Sequence, residues 1–74
     1  MVIKGNVNNI DYAAFNKCSS LEWVEINAIV PPTIGDYIFG GCTNLTSIYV
    51  PFESVASYNV SWDVYGSRIT YKVN

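Results

Sequence analysis

A period of twenty-four residues constrains this chain more than any other feature of it. Ile10, Phe15, Cys18, Leu21, Val24 and Ile26 recur as Ile34, Phe39, Cys42, Leu45, Ile48 and Val50. Only four of the seventeen positions from 10 to 26 are identical in the second copy, while the polar positions between them change freely. What is held constant is therefore a buried face. Self-similarity at this period marks units that stack, each covering the apolar side of the one before. The pattern specifies an architecture and names no ligand.

Two kinds of element can be read inside each copy. Between Ile10 and Cys18 the apolar residues fall three to five apart, which predicts a short helix or helical turn with Asp11 at its start, where a carboxylate suits the helix dipole. Asp36, one place past the equivalent position in the second copy, also reads as a helix-start residue. From Leu21 to Ile26, and again from Leu45 to Val50, the spacing ends in alternation and predicts short strands that stacking would align in one parallel sheet. Asn6–Asn9 reads as a turn-rich link, and the prolines of the 29–33 stretch (IVPPT) as a stiff corner. Val2 lies twenty-four residues before Ile26, so the first residues read as the tail of an earlier unit.

After Pro51 the register changes. Val55, Tyr58, Trp62 and Tyr65 are spaced for one face of a helix, predicted over about residues 53–65 with Glu53 or Ser54 at its start and Gly66 at its end. Core packing is the expected role of that aromatic stripe, in preference to a cofactor site. Ile69, Tyr71 and Val73 alternate with Thr70 and Lys72 and read as a last strand. A terminal unit has no successor to cover it, and an aromatic helix laid over its open end would serve as a cap.

The residues Ile10, Ala14-Phe15, Cys18, Leu21, Val24 and Ile26, with Ile34-Gly35, Phe39, Cys42, Leu45, Ile48 and Val50-Pro51, resemble the unit of the BspA-like, or treponemal-type, leucine-rich repeats of bacterial and protist surface proteins. The resemblance covers residues 10–71. Ile38 departs from it at the small residue before the phenylalanine, Asp11 at the glycine, and no proline follows Ile26. It implies an α/β solenoid: a fragment of a right-handed leucine-rich-repeat superhelix with short parallel strands and a C-terminal capping helix. The expected partition is a remnant of a preceding repeat (1–9), repeat 1 (10–33), repeat 2 (34–51) and the cap (52–74). It also implies an extracellular or cell-surface protein acting in protein-protein or host-surface attachment.

Composition narrows the chemistry. A chain of 74 residues buries only about 60% of the surface its unfolded form exposes. With half the residues apolar and 14% charged, some apolar surface is expected to meet a neighbour. Four scattered cations in a chain of net charge -2 give no basic stripe for nucleic acid. No apolar run reaches the roughly 18 residues of a membrane span. There is no histidine to act as general base, the six acids fall in no metal or paired-carboxylate spacing, and neither catalysis nor a cofactor is expected. Cys18 and Cys42 occupy equivalent positions and are expected to be buried free thiols rather than a disulfide. The Gly40-Gly41 pair reads as a turn, since no phosphate-loop pattern follows it.

Candidate binding residues come from what the strands leave outside. If Leu21, Val24 and Ile26 face the core, Trp23 and Glu25 face outward, and by the same alternation so do Ser47 and Tyr49. Together these form an open patch of aromatic area and polar groups, with Thr70 and Lys72 beside it, as interface centres do. The aromatics could instead only shield a thin sheet. Two further readings stand beside protein attachment: a purely structural cap of a longer array, and carbohydrate binding through Trp23 and Tyr49. The uncovered first edge is expected to self-associate by strand pairing or stacking.

Overall fold

The structure, a computed structural model, describes residues 1–4 and 7–71. Its strands are short and all its pairings parallel. A four-stranded sheet runs in the order β1 (Val2–Ile3), β3 (Trp23–Ile26), β5 (Ser47–Tyr49), β6 (Ile69–Thr70). A second sheet pairs β2 (Asn9–Ile10) with β4 (Thr33–Ile34). Val24 pairs with Ile48 and Asn9 with Thr33, so both ladders carry the twenty-four-residue offset seen in the sequence. The β2–β4 ladder lies where the sequence suggested only a link and a corner. Two-residue strands are too short for alternation to announce them.

At the first edge the register differs from expectation. Ile3 pairs with Ile26 and Val2 with Glu25, an offset of twenty-three, so it is Ile3 that packs on the core while Val2 is exposed.

The segments after Ile10 and Ile34 are successive turns, not helices. Ala13 and Lys17 hold left-handed φ angles of 55° and 63°, and Tyr37 and Gly41, at the same places in the second copy, hold 58° and 76°. A left-handed step every four residues breaks the helical ladder and swings alternate N–H groups to one side. Those of Ala13, Phe15 and Lys17 donate to the carbonyls of Asp36, Ile38 and Gly40 at 3.0, 2.9 and 2.6 Å. The two copies are thus joined by backbone hydrogen bonds along their turns as well as along their strands. Asp11 and Asp36 start no helix.

Between the ladders lies one apolar core. Val24, Ile26, Ile38, Leu45, Ile48 and Val50 are buried, and the rings of Phe15 and Phe39 stack at 5.7 Å and 16°. Coverage is unequal: Phe39, Cys42 and Leu45 are buried, whereas Phe15 and Leu21 are half-buried and Cys18 is exposed. Both thiols are free as expected, but only Cys42 is buried, and its Sγ donates to the Phe15 carbonyl at 3.1 Å. Ile38, large where Ala14 is small, is completely enclosed.

The C-terminal segment is a 3₁₀ turn (Phe52–Ser54), helix α1 (Val55–Ser61) and a second 3₁₀ stretch (Asp63–Arg68). The single helix expected over 53–65 is interrupted at Trp62, whose φ/ψ of -116°/43° is not helical, and Gly66 lies inside the second 3₁₀ stretch instead of ending the first helix. The break has a cause in hydrogen bonding. Trp62 turns its Nε1 onto the Pro32 carbonyl at 3.0 Å, while the Tyr65 hydroxyl accepts the Phe39 N–H at 3.4 Å. In the first copy the corresponding Asn8 carbonyl takes the Thr33 N–H, and the Phe15 N–H finds the Ile38 carbonyl. Side chains of the C-terminal segment therefore replace backbone groups that a further coil would supply. Tyr58 and Ser54 likewise donate to the carbonyls of Ala28 and Ile29 at 2.7 and 2.6 Å. Among the described residues no buried side-chain nitrogen or oxygen lacks a partner. Tyr58 and Trp62 are fully buried, so the stripe is core, as its spacing suggested.

Burial pushes the Tyr58 hydroxyl from 10.0 up to about 12. An unfolded chain ionises this phenol first, so its contribution to stability is complete below pH 10.0 and is lost as pH rises from there to about 12. Alkaline titration followed by phenolate absorbance and circular dichroism checks this. The signal that Tyr58→Phe removes should develop in that window and together with loss of helix. A Tyr58 phenolate forming below it, in folded protein, would contradict the sealed hydroxyl.

Candidate binding face

Strand alternation places the four outward residues as the sequence implied. In β3 and β5, Val24, Ile26 and Ile48 are buried, which turns Trp23, Glu25, Ser47 and Tyr49 to the other side of the sheet. Trp23 pairs with Ser47 and Glu25 with Tyr49. The two aromatics are consequently diagonal neighbours, with ring centroids 6.5 Å apart at 63°, an edge-on arrangement that long side chains reach across adjacent strands. Trp23 is 40% exposed; Glu25, Ser47 and Tyr49 are half-buried.

The flanking strands extend the face. Val2 stands beside Glu25 and Thr70 beside Tyr49, giving a row Val2, Glu25, Tyr49, Thr70 across all four strands. Lys72, expected next to Thr70, lies outside the described residues.

The face continues into a groove that the sequence reading missed. Just past the ends of β3, β5 and β6, Glu25, Asn27, Tyr49, Pro51, Phe52 and Tyr71 line a space of about 370 Å³. The Phe52 and Tyr71 rings meet edge to face at 4.8 Å, and Phe52 is 70% exposed. The available signal was a large aromatic directly after a strand-ending proline, at a site where the core pattern had no use for it.

This surface offers aromatic area, one carboxylate, hydroxyls and an amide; nothing in it resembles a reaction centre. Among the described residues no group of His, Cys, Asp and Glu could hold a metal ion. No helix among them is long and apolar enough to cross a membrane. What the arrangement can do chemically is hold another surface by apolar contact and hydrogen bonds.

The family model described as a BspA type leucine-rich repeat region (6 copies) matches residues 1–62. The chain belongs to that family. This BspA-type chain is therefore a leucine-rich-repeat protein, of a class associated with protein interaction. Comparison with curated proteins and with solved structures gives no match.

Proposed function

We propose that this BspA-type leucine-rich-repeat chain is a non-catalytic attachment module of a cell-surface protein, holding a protein or host-surface ligand on the sheet face formed by Trp23, Glu25, Ser47 and Tyr49. The observation that carries the reading is the Trp23–Tyr49 pair, two large aromatics set side by side on the sheet face opposite the core. Tryptophan and tyrosine are enriched among residues that dominate binding energy, because they bury much area for few frozen rotors. The polar neighbours Glu25, Ser47 and Thr70 would fix orientation. In this reading the stacked copies are turns of a right-handed α/β solenoid, repeat 1 at 10–33 and repeat 2 at 34–51, with residues 52–74 as their cap.

Binding of the wild-type chain to immobilised extracellular-matrix proteins, with a glycan array in parallel, tests this directly. Trp23→Ala and Tyr49→Ala should each weaken capture by about 30-fold or more, the effect of losing a contact worth roughly 2 kcal/mol. Circular dichroism should remain that of the folded chain. Capture that survives both changes would exclude this face. Response confined to the glycan array would replace a protein ligand with a carbohydrate.

One observation favours a second reading, in which the piece is structural and closes a longer array. The side chains of Ser54, Tyr58 and Trp62 meet backbone carbonyls of the connection between the two copies, at Ile29, Ala28 and Pro32, and that of Tyr65 meets the Phe39 N–H of the second copy. Under that reading the two alanine variants change stability at most and capture nothing less than wild type does.

A further inference from the structure

The C-terminal segment covers the second coil incompletely. Between it and the turns of that coil lies a cleft of about 460 Å³, lined by Ile34, Gly35, Asp36, Tyr37, Ser61, Asp63, Val64 and Tyr65. Its chemistry can be read from the first copy, where the corresponding backbone is paired. There the Ile10 carbonyl accepts the Gly35 N–H at 2.8 Å and the Ala13 N–H donates to the Asp36 carbonyl at 3.0 Å. One Gly-Asp unit thus occupies both groups. The equivalent pair in the second copy is the Ile34 carbonyl and the Tyr37 N–H. Tyr37 repeats the left-handed conformation of Ala13, φ 58° against 55°, so its N–H is aimed in the same way. The β2–β4 register turns the Ile34 carbonyl away from β2, and among the described residues no turn, loop or side-chain hydrogen bond engages it or the Tyr37 N–H.

Two details specify what fits. A Cβ on Gly35 would come within 2.5 Å of the Tyr12 nitrogen and 2.7 Å of its Cα, so the seat over the first copy admits only glycine. Charge adds a second requirement: Asp36 and Asp63 line the cleft and no lysine or arginine does. We infer that this cleft binds a short extended segment of another protein in which a glycine is followed by a lysine or arginine. The glycine lets the segment approach as closely as Gly35 approaches Tyr12. Its N–H donates to the Ile34 carbonyl, the next carbonyl accepts the Tyr37 N–H, and the basic side chain meets the two carboxylates. Recognition is by backbone pairing with one excluded side chain, in the manner of peptides that add to an open edge. A second copy of this chain stacked in register is a poor occupant, because Asp11 holds the position corresponding to Gly35 and would bring a Cβ into that contact. The site is separate from the Trp23–Tyr49 face and does not depend on it.

The test is a titration of the full, isotope-labelled chain with a capped Ser-Gly-Lys-Ser peptide, and with the same peptide carrying alanine for glycine, read by amide chemical shifts. The glycine peptide should shift the Tyr37 and Val64 amides saturably in the millimolar range, and the alanine peptide should bind at least about tenfold more weakly. Asp36→Asn combined with Asp63→Asn should weaken the glycine peptide by about tenfold, as expected for two exposed ion pairs. No saturable shift at Tyr37, an equal response to both peptides, or shifts confined to Trp23 and Tyr49 would overturn the inference. The comparison of peptides uses the unaltered chain, so misfolding of a variant cannot obscure it.

Discussion

Trp62→Ala is expected to destabilise the chain by about 3–5 kcal/mol, the range for removing a fully buried large aromatic. A chain of this length has a total stability of roughly 4–11 kcal/mol at ordinary per-residue values, so the variant should lose about a quarter of it or more and, at the lower end of that range, should lie near its unfolding midpoint. Three losses converge at this residue. Its ring is completely enclosed, 5.2 Å from Tyr58 and 6.5 Å from Phe39, and it links the C-terminal segment to the core of the second coil. Its Nε1 satisfies the Pro32 carbonyl, buried beneath it. Without the ring, the Phe39 and Leu45 side of the core would open as the Phe15 and Leu21 side already is. Trp62→Phe separates the terms in part, since it keeps an aromatic ring while removing the donor and some buried volume; the expected cost is at least about 1–3 kcal/mol, that of a buried carbonyl left unsatisfied. Urea unfolding of the three proteins checks both numbers. A loss below about 1 kcal/mol for Trp62→Ala would mean that the C-terminal segment is not part of the cooperative core.

The parts of this fold that were legible beforehand are those in which side-chain burial alone dictates the pattern. Val24 and Ile48 had to face inward for the twenty-four-residue repeat to make sense, and that fixed Trp23, Glu25, Ser47 and Tyr49 on the opposite side. The aromatic stripe of Tyr58, Trp62 and Tyr65 followed for the same reason. What was not legible depends on backbone geometry. Ala13 and Lys17 are unremarkable helix residues by spacing, yet each adopts a left-handed φ whose N–H makes an inter-coil hydrogen bond, and Tyr37 repeats the conformation one copy later. Tertiary pairing overrides local preference there, and no side-chain pattern reports it. The β2–β4 ladder and the break at Trp62 escaped in the same way. Cys18 and Cys42 share a repeat position, yet only Cys42 is buried, because burial of a repeat position depends on the coil beside it as well as on its own sequence. The Phe52–Tyr71 groove arises where strand ends meet the C-terminal segment, a junction outside either periodicity.

Gly35→Ala should be the other severe lesion, with an expected cost of about 3 kcal/mol, and it tests the spacing between coils on which the fold depends. The added methyl would lie 2.5 and 2.7 Å from backbone atoms of Tyr12, so relief requires moving one coil away from the other rather than turning a side chain. Overpacking of this kind costs about 1–3 kcal/mol. Separation also stretches the Gly35–Ile10 and Ala13–Asp36 hydrogen bonds, each worth roughly 1 kcal/mol. Gly41→Ala is the discriminating control. Gly41 has a φ of 76°, which alanine adopts at a cost of roughly 1–2 kcal/mol, but its new methyl would meet Lys17 atoms no closer than 3.3 Å. Lys17 itself tolerates φ 63° at the equivalent place in the first copy. If close stacking governs, unfolding in urea should rank Gly35→Ala below Gly41→Ala in stability by more than about 1 kcal/mol. The reverse order would mean that glycine serves here for its backbone freedom, and that the coils stand far enough apart to admit a side chain. The glycine requirement argued for the peptide cleft over Tyr37 would then lose its physical basis, because it extends the same contact by one coil.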